Sequence, residues 1–221
     1  MLKSTDDIRI TAVRLLESLP AGVTLVAAAK GRSVEQVRSV IEAGVTHIGH
    51  NYVQEAEAMR PLFAEPVSWH LIGHLQSNKA RKAIELFDIV QTVDSLRLAS
   101  DLDRRCASMH RMLPILVEVN SGGEESKSGV LPEQVDELVS DLAALRHIQV
   151  QGLMTMGPRS GDPEDSRRYF HTTRLAFERL ARVGLPRVEM RYLSMGMSNS
   201  FRVAIEEGAN LVRIGSLLFE S

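Results

Sequence analysis

A lysine closing one apolar run, an arginine inside another, and two Gly-Ser segments are the residues of this sequence best placed to do chemistry. Residues 24–30 read TLVAAAK. As a buried strand, side-chain alternation puts Val26, Ala28 and Lys30 on one side, with Lys30 at the C-terminal end, where barrels hold their chemistry. The small alanines beneath it leave room for a ligand. An amine in a dry pocket loses proton affinity because burial disfavours its charged form, and it then attacks an aldehyde. The competing reading is a strand-end lysine that reaches solvent, since lysine is rarely buried. Arg213, in LVRIGS, is expected to point inward with Leu211 and to lie near Lys30. A permanent cation there lowers the lysine's proton affinity further and is costly to bury alone, so it needs an electron-rich partner on a ligand or an internal carboxylate such as Glu118. The segment SMGMSNS offers the hydroxyls of Ser194 and Ser198 and a close backbone approach at Gly196, and Gly215-Ser216 follows Arg213 directly. Each alone is an ordinary helix-capping turn. Together they match the anion site that barrels build from the loops after strands seven and eight.

The elements that must position these residues are legible as periodicity. Residues 5–18 predict a first helix, and Ser33 with Gln36 three residues on is a capping-box signature for the helix after TLVAAAK. Further strands are expected near 47–52, 69–74, 89–94, 115–120, 150–156, 192–196 and 211–216, alternating with helices near 53–59, 76–87, 96–109, from Pro132, from Asp162-Pro163 and over 198–207. Eight short strands alternating with helices, with no Gly/Pro-rich linker dividing the 221 residues, predict an α/β fold: one (β/α)8 TIM-type barrel spanning 1–221, with the helix at 5–18 packed on it. An open doubly wound sheet is the alternative, but neither G-x-G-x-x-G nor G-x-x-x-x-G-K-[ST] occurs to support its nucleotide-binding versions.

Hydrophobic residues at 44%, charged residues at 24% and a net charge of -2 describe a soluble globular chain and give no reason to expect nucleic acid or an anionic membrane as partner. The charged N-terminus lacks a signal-peptide core, and the single Cys106 suits a reducing compartment, so the expected location is the cytoplasm. An amine, an inward arginine and a two-loop anion site call for a ligand carrying an aldehyde, an electron-rich ring atom and a phosphate. Pyridoxal 5'-phosphate (PLP) carries all three.

The segments LVAAAK, HIGHNYVQE, WHLIGHLQSNK, VDS, GEESKSGV, GLMTM, LSMGMSNSF with VAIEEGA, and VRIGS occur in this order between about residues 24 and 219. In these motifs the chain resembles the pyridoxal phosphate homeostasis protein family, whose fold is similar to the barrel domain of bacterial alanine racemase. The resemblance implies that Lys30 carries PLP as a Schiff base, that Ser194, Gly196, Met197, Ser198, Gly215 and Ser216 surround the phosphate, that Arg213 faces the pyridine nitrogen, and that Asn51 lies close to the ring. Two positions depart from the family pattern: His50 stands where an acid is usual, and Ala29 where a serine is usual.

An arginine keeps its proton, so opposite the ring nitrogen it leaves that atom unprotonated and the ring a poor electron sink. Racemisation would also need a second acid-base group across from Lys30. In alanine racemase a tyrosine from a further domain supplies it, and the expected places of Tyr52, Tyr169 and Tyr192 suggest no substitute. The sequence therefore favours a PLP-binding protein that stores, buffers or delivers the cofactor, with PLP-dependent apo-enzymes as recipients and a monomer as the expected state. A PLP-dependent racemase is the alternative, and a cofactor-free Schiff-base aldolase on a phosphorylated sugar the second. No metal is expected: His70 and His74 are four apart but lack a neighbouring ligand at metal spacing. His74 is read as lining the ligand pocket or as a core histidine, Trp69 as packing on the helical layer, and the SGGEESKSG loop as either a solvated loop or a cover that brings Lys127 to the cofactor.

Overall fold

A computed structural model describes residues 3–124, 127–158 and 161–220. Eight parallel strands close into a barrel in sequence order: β1 (Thr24–Ala28), β2 (His47–His50), β3 (Ser68–Leu71), β4 (Ile89–Val93), β5 (Leu113–Val119), β6 (Ile148–Thr155), β7 (Val188–Ser194) and β8 (Leu211–Ile214). Closure puts β8 beside β1, with Arg213 opposite Val26 and Ile214 opposite Ala27. The open-sheet alternative is thereby set aside.

The helices wrap the strands. α1 (Thr5–Ser18) matches its predicted span and packs on α2 (Val34–Glu42). It is also tied to the chain's other end, where Lys3 Nζ donates to the Leu217 carbonyl at 2.7 Å. The capping box forms as expected: Ser33 Oγ accepts from the Gln36 N–H, and the Gln36 side chain accepts from the Ser33 N–H. α3 (Val53–Met59), α4 (Ala80–Leu86), α5 (Leu96–Ser108), α6 (Val135–Leu142), α7 (Arg167–Ala181), α8 (Phe201–Glu206) and α9 (Ser216–Phe219) complete the layer. Pro132 and Pro163 each open a short 3-10 turn ahead of α6 and α7, where a missing N–H costs no helical bond. α7 buries Phe170, Thr173 and Leu180 as its periodicity predicts.

Alternation along the strands separates two interiors. Leu25, Ala27, Ile48, Trp69 and Val212 join the large apolar core shared with the helices. The opposite faces fill the barrel with a small apolar layer, Ile89, Leu116 and Met154, and with buried polar side chains that include His70, Gln91, Glu118, Ser194 and Arg213. Burying so many polar groups is tolerable only if they are hydrogen-bonded to one another. That requirement shapes the site above them.

Candidate functional site

Several predicted strands run one to three residues past their observed C-terminal ends: β1 stops at Ala28, β3 at Leu71, β7 at Ser194 and β8 at Ile214. The overhang is where the chemistry-bearing residues lie. Lys30, Asn51, His74, Gly196 to Ser198, and Gly215 with Ser216 are all in the turns that leave the barrel at this end. All but Gly196 border two adjoining hollows of about 730 and 520 Å3 that share Asn51, Ile72, Met156 and Met197 and so form one cleft over the barrel mouth.

Lys30 sits in the turn after β1 and is exposed, at the rim of the larger hollow. The enclosed, dry amine expected from strand alternation is therefore corrected: the strand ends two residues early, and Lys30 follows the turn rather than the pleat. Its Nζ lies 5.5 Å from the centroid of the Tyr52 ring, a cation–π distance. Tyr52 is thus beside Lys30, a proximity its place in the sequence did not suggest. The Lys30 turn is held by Glu55, whose Oε1 accepts from the Gly31 N–H at 3.2 Å.

Arg213 forms the floor, buried and pointing into the barrel as alternation predicts. Its Nη1 donates to Ser194 Oγ at 2.6 Å and its Nη2 to the Thr155 carbonyl at 2.9 Å. Among the described residues it makes no hydrogen bond or ion pair with Glu118. Burial pulls its pKa down to about 10, opposed by the Glu118 charge, so the guanidinium remains charged at neutral pH. Glu118 borders the smaller hollow, where burial and then the Asp94 charge push its carboxyl up to about 7 against the pull of Arg213.

The turns after β7 and β8 meet at Ser198. Its Oγ accepts from the backbone N–H groups of Gly215 and Leu217 at 3.3 and 3.2 Å, which locks the two turns together. Gly196 occupies φ +92, and a Cβ there would sit 2.6 Å from Ala204 Cβ and 2.9 Å from Phe201 Cα, so only glycine lets the turn press against α8. The Gly196 carbonyl accepts from the Arg213 N–H at 3.1 Å, which ties the turn to the floor. Met197, Ser198, Gly215 and Ser216 all border the larger hollow, whereas Ser194 is fully buried beneath it and touches the cleft through Arg213. The hydroxyls of Ser198 and Ser216 beside a guanidinium suit a ligand with an anionic end and a hydrogen-bond acceptor. A primary amine bordering the same hollow suits an electrophilic carbon.

Residues 13–221 match the family model "Alanine racemase, N-terminal domain". A pyridoxal phosphate homeostasis protein of Aquifex aeolicus is 41% identical over 202 residues, which are 88% of this chain and 85% of that protein. The chain belongs to the pyridoxal phosphate homeostasis protein family. A solved structure, PipY of Synechococcus elongatus PCC7942 with PLP bound, superposes with a TM-score of 0.87 at 33% identity, over 96% of this chain and 99% of that one. An alanine racemase of Clostridium difficile 630 shares the fold, with a TM-score of 0.80 at 17% identity over 96% of this chain and 55% of the racemase.

Within this family member the two departures from the family pattern acquire surroundings. His50 is fully buried, its ring stacked on Trp69 at 5.5 Å and 5°, with neither ring nitrogen hydrogen-bonded among the described residues. Burial lowers its pKa to about 4, so it is neutral and forms no ion pair with Glu55, 3.6 Å away. The carboxylate at the Lys30 turn comes instead from Glu55, the last residue of NYVQE. Ala29 is buried in the core shared with the helices, where a hydroxyl would need a partner. Trp69 packs outward as expected. His70 and His74 part company: His70 is inside the barrel and hydrogen-bonded to Gln91, and His74 is exposed at the mouth. Among the described residues no three His, Cys, Asp or Glu side chains are grouped to hold a metal. Lys127 reaches the smaller hollow with its Nζ 2.6 Å from Glu124 Oε1, while Glu125 and Ser126 of the same loop lie outside the described residues. Among the described residues no helix is long and apolar enough to cross a membrane. Gln91 was missed as a site residue, although its polarity inside a predicted strand was the available signal, and Glu118 was read only as a partner for Arg213.

Proposed function

We propose that this protein binds pyridoxal 5'-phosphate on Lys30 and stores, buffers or delivers it within the cytoplasm, as a single-domain barrel acting as a monomer, with apo-enzymes that use the cofactor as recipients. The observation that carries this reading is that Lys30, Arg213 and the Ser198-centred junction of two turns border one hollow of about 730 Å3. The residues fit the group. Ser198, Gly215 and Ser216 would hold its phosphate with hydroxyls and backbone N–H groups, Arg213 would donate to its ring nitrogen, and Asn51 and Met197 would bound the ring. Ser194 would act one layer below, through Arg213. The Lys30 amine would add to the aldehyde carbon, with the carbonyl oxygen leaving as water, so that linkage is reversible by hydrolysis.

Bound PLP supplies an electron sink, and its strength depends on protonation of the ring nitrogen. Arg213 has donors only and keeps its charge, so it favours an unprotonated ring nitrogen and weak activation. The exposure of Lys30 favours exchange: a linkage at the rim of an open cleft is accessible to water and to a competing amine. Both features fit a carrier better than a racemase. Tyr52, the tyrosine in contact with Lys30, stands beside the amine, whereas a racemase needs its second acid-base group opposite.

The test is the absorption spectrum of the purified protein with PLP, before and after borohydride reduction, beside Lys30→Ala. A visible band that reduction fixes onto the wild-type chain, and that the variant lacks, supports the reading. A protein that stays colourless after incubation with PLP overturns it. A chiral assay on alanine then separates carrier from racemase.

A further inference from the structure

Five side chains from five strands make a continuous hydrogen-bonded path through the barrel, and the orientation of the Gln91 amide, with Oε1 toward Ser194, gives it a direction. Arg213 can only donate, so Ser194 Oγ accepts from Nη1 at 2.6 Å. The single Ser194 hydrogen is then free for Gln91 Oε1, 2.7 Å away. With Oε1 toward Ser194, the Gln91 amide turns its NH2 toward His70 Nδ1 at 2.7 Å. An amide nitrogen does not accept, so His70 Nδ1 must be bare, and the His70 proton resides on Nε2. Nε2 faces His47 Nδ1 at 2.9 Å and Ser68 Oγ at 3.1 Å, both able to accept. Every bond therefore runs donor to acceptor from Arg213 toward His47, at the opposite end of the barrel.

His70, Gln91 and Ser194 are all fully buried. A second proton on His70 would oppose the Gln91 NH2 directly. Burial and the neighbouring His47 already hold the His70 pKa down at about 3. In this amide orientation every bond runs in one sense, and bonds so aligned polarise one another. With the Thr155 carbonyl on Nη2, both terminal nitrogens of the guanidinium are held.

We propose that His70, Gln91 and Ser194 are positioning residues: a one-way hydrogen-bonded path that fixes the Arg213 guanidinium so that its remaining N–H groups are presented to the ring atom of the ligand. The ligand part of this inference rests on the PLP reading above. The path itself does not, because the hydrogen arrangement exists in the ligand-free protein.

Nitrogen-15 NMR of the ligand-free wild type reads the tautomer: the expected result is His70 with its proton on Nε2, and a proton on Nδ1 overturns the path. PLP titrations of Gln91→Met, Ser194→Ala and Ser194→Thr read the consequence. Removing a buried partner is expected to weaken PLP binding by about tenfold in the first two variants and to shift the absorption band of the Lys30-bound cofactor. Ser194→Thr, which keeps the hydroxyl, restores both. A merely structural role would lower thermal stability while leaving the band in place. Gln91→Met and Ser194→Ala proteins that keep the wild-type band and an affinity within about twofold overturn the proposal. Wild-type protein that takes up no PLP overturns the functional reading and the ligand part with it, and the NMR result judges the path alone.

Discussion

Gly196→Ala separates backbone strain from steric contact at the turn that joins the floor of the cleft to its rim. The residue holds φ +92, where an L side chain costs about 1–2 kcal/mol. The added Cβ would also lie 2.6 Å from Ala204 Cβ and 2.9 Å from Phe201 Cα, inside any normal contact. Both neighbours belong to α8, so relief means moving the helix, and overpacking of this kind costs about 1–3 kcal/mol. Restricting the unfolded chain returns about 0.4–1 kcal/mol. The net loss is roughly 1–5 kcal/mol, which at about 2–4 °C per kcal/mol for a chain of this length lowers Tm by roughly 2–20 °C. Gly22 is the internal control. It holds φ +88 with nothing within 4 Å of a built Cβ, so Gly22→Ala carries the strain without the contact, a net loss of roughly 0–1.5 kcal/mol. Thermal unfolding of both variants measures the difference. Because the Gly196 carbonyl accepts from the Arg213 N–H and the next turn holds Ser198, Gly196→Ala should also weaken PLP binding while Gly22→Ala should not. Equal Tm losses in the two variants would refute the contact term, and unchanged PLP affinity in Gly196→Ala would refute the mechanical link from turn to cleft.

Two titrating groups should leave opposite marks on stability. Glu118 has its folded-state pKa raised to about 7, so its stabilising effect is full below the unfolded value near 4.5 and is lost as pH rises through 7. Relative to Glu118→Gln, the wild type should lose about 3 kcal/mol between pH 4 and 8, and parallel urea-unfolding curves across that range would count against a buried neutral carboxyl. His50 has its folded-state pKa lowered to about 4, so its contribution is present above the unfolded value near 6.5 and is lost as pH falls through 4. His50→Phe keeps a flat ring against Trp69 without that liability, and should gain about 2–3 kcal/mol on the wild type between pH 7 and 4. No relative gain in urea unfolding at pH 4 would mean that His50 finds a proton partner on protonation.

The fold was legible because its signals are local and repeated: a 3.6-residue stripe at α1, a Ser33–Gln36 capping box, and eight apolar runs whose count and alternation admit few topologies. Arg213 was legible from alternation alone, since its register opposite Val26 follows once β8 closes on β1. Lys30 was found but misplaced. Alternation describes a residue only while the strand lasts, and the apolar tail of TLVAAAK continues past the last ladder bond into a turn. Residues of such loops look like strand in sequence because they face the barrel mouth. The polar path fails to appear for a different reason. His70, Gln91 and Ser194 stand on three strands separated by up to 124 positions, and nothing in any one of these strands says that the three side chains meet. Only barrel closure brings them into one layer. Once there, the Gln91 amide determines the hydrogens: with its oxygen toward Ser194 its NH2 faces His70, and every bond runs away from Arg213.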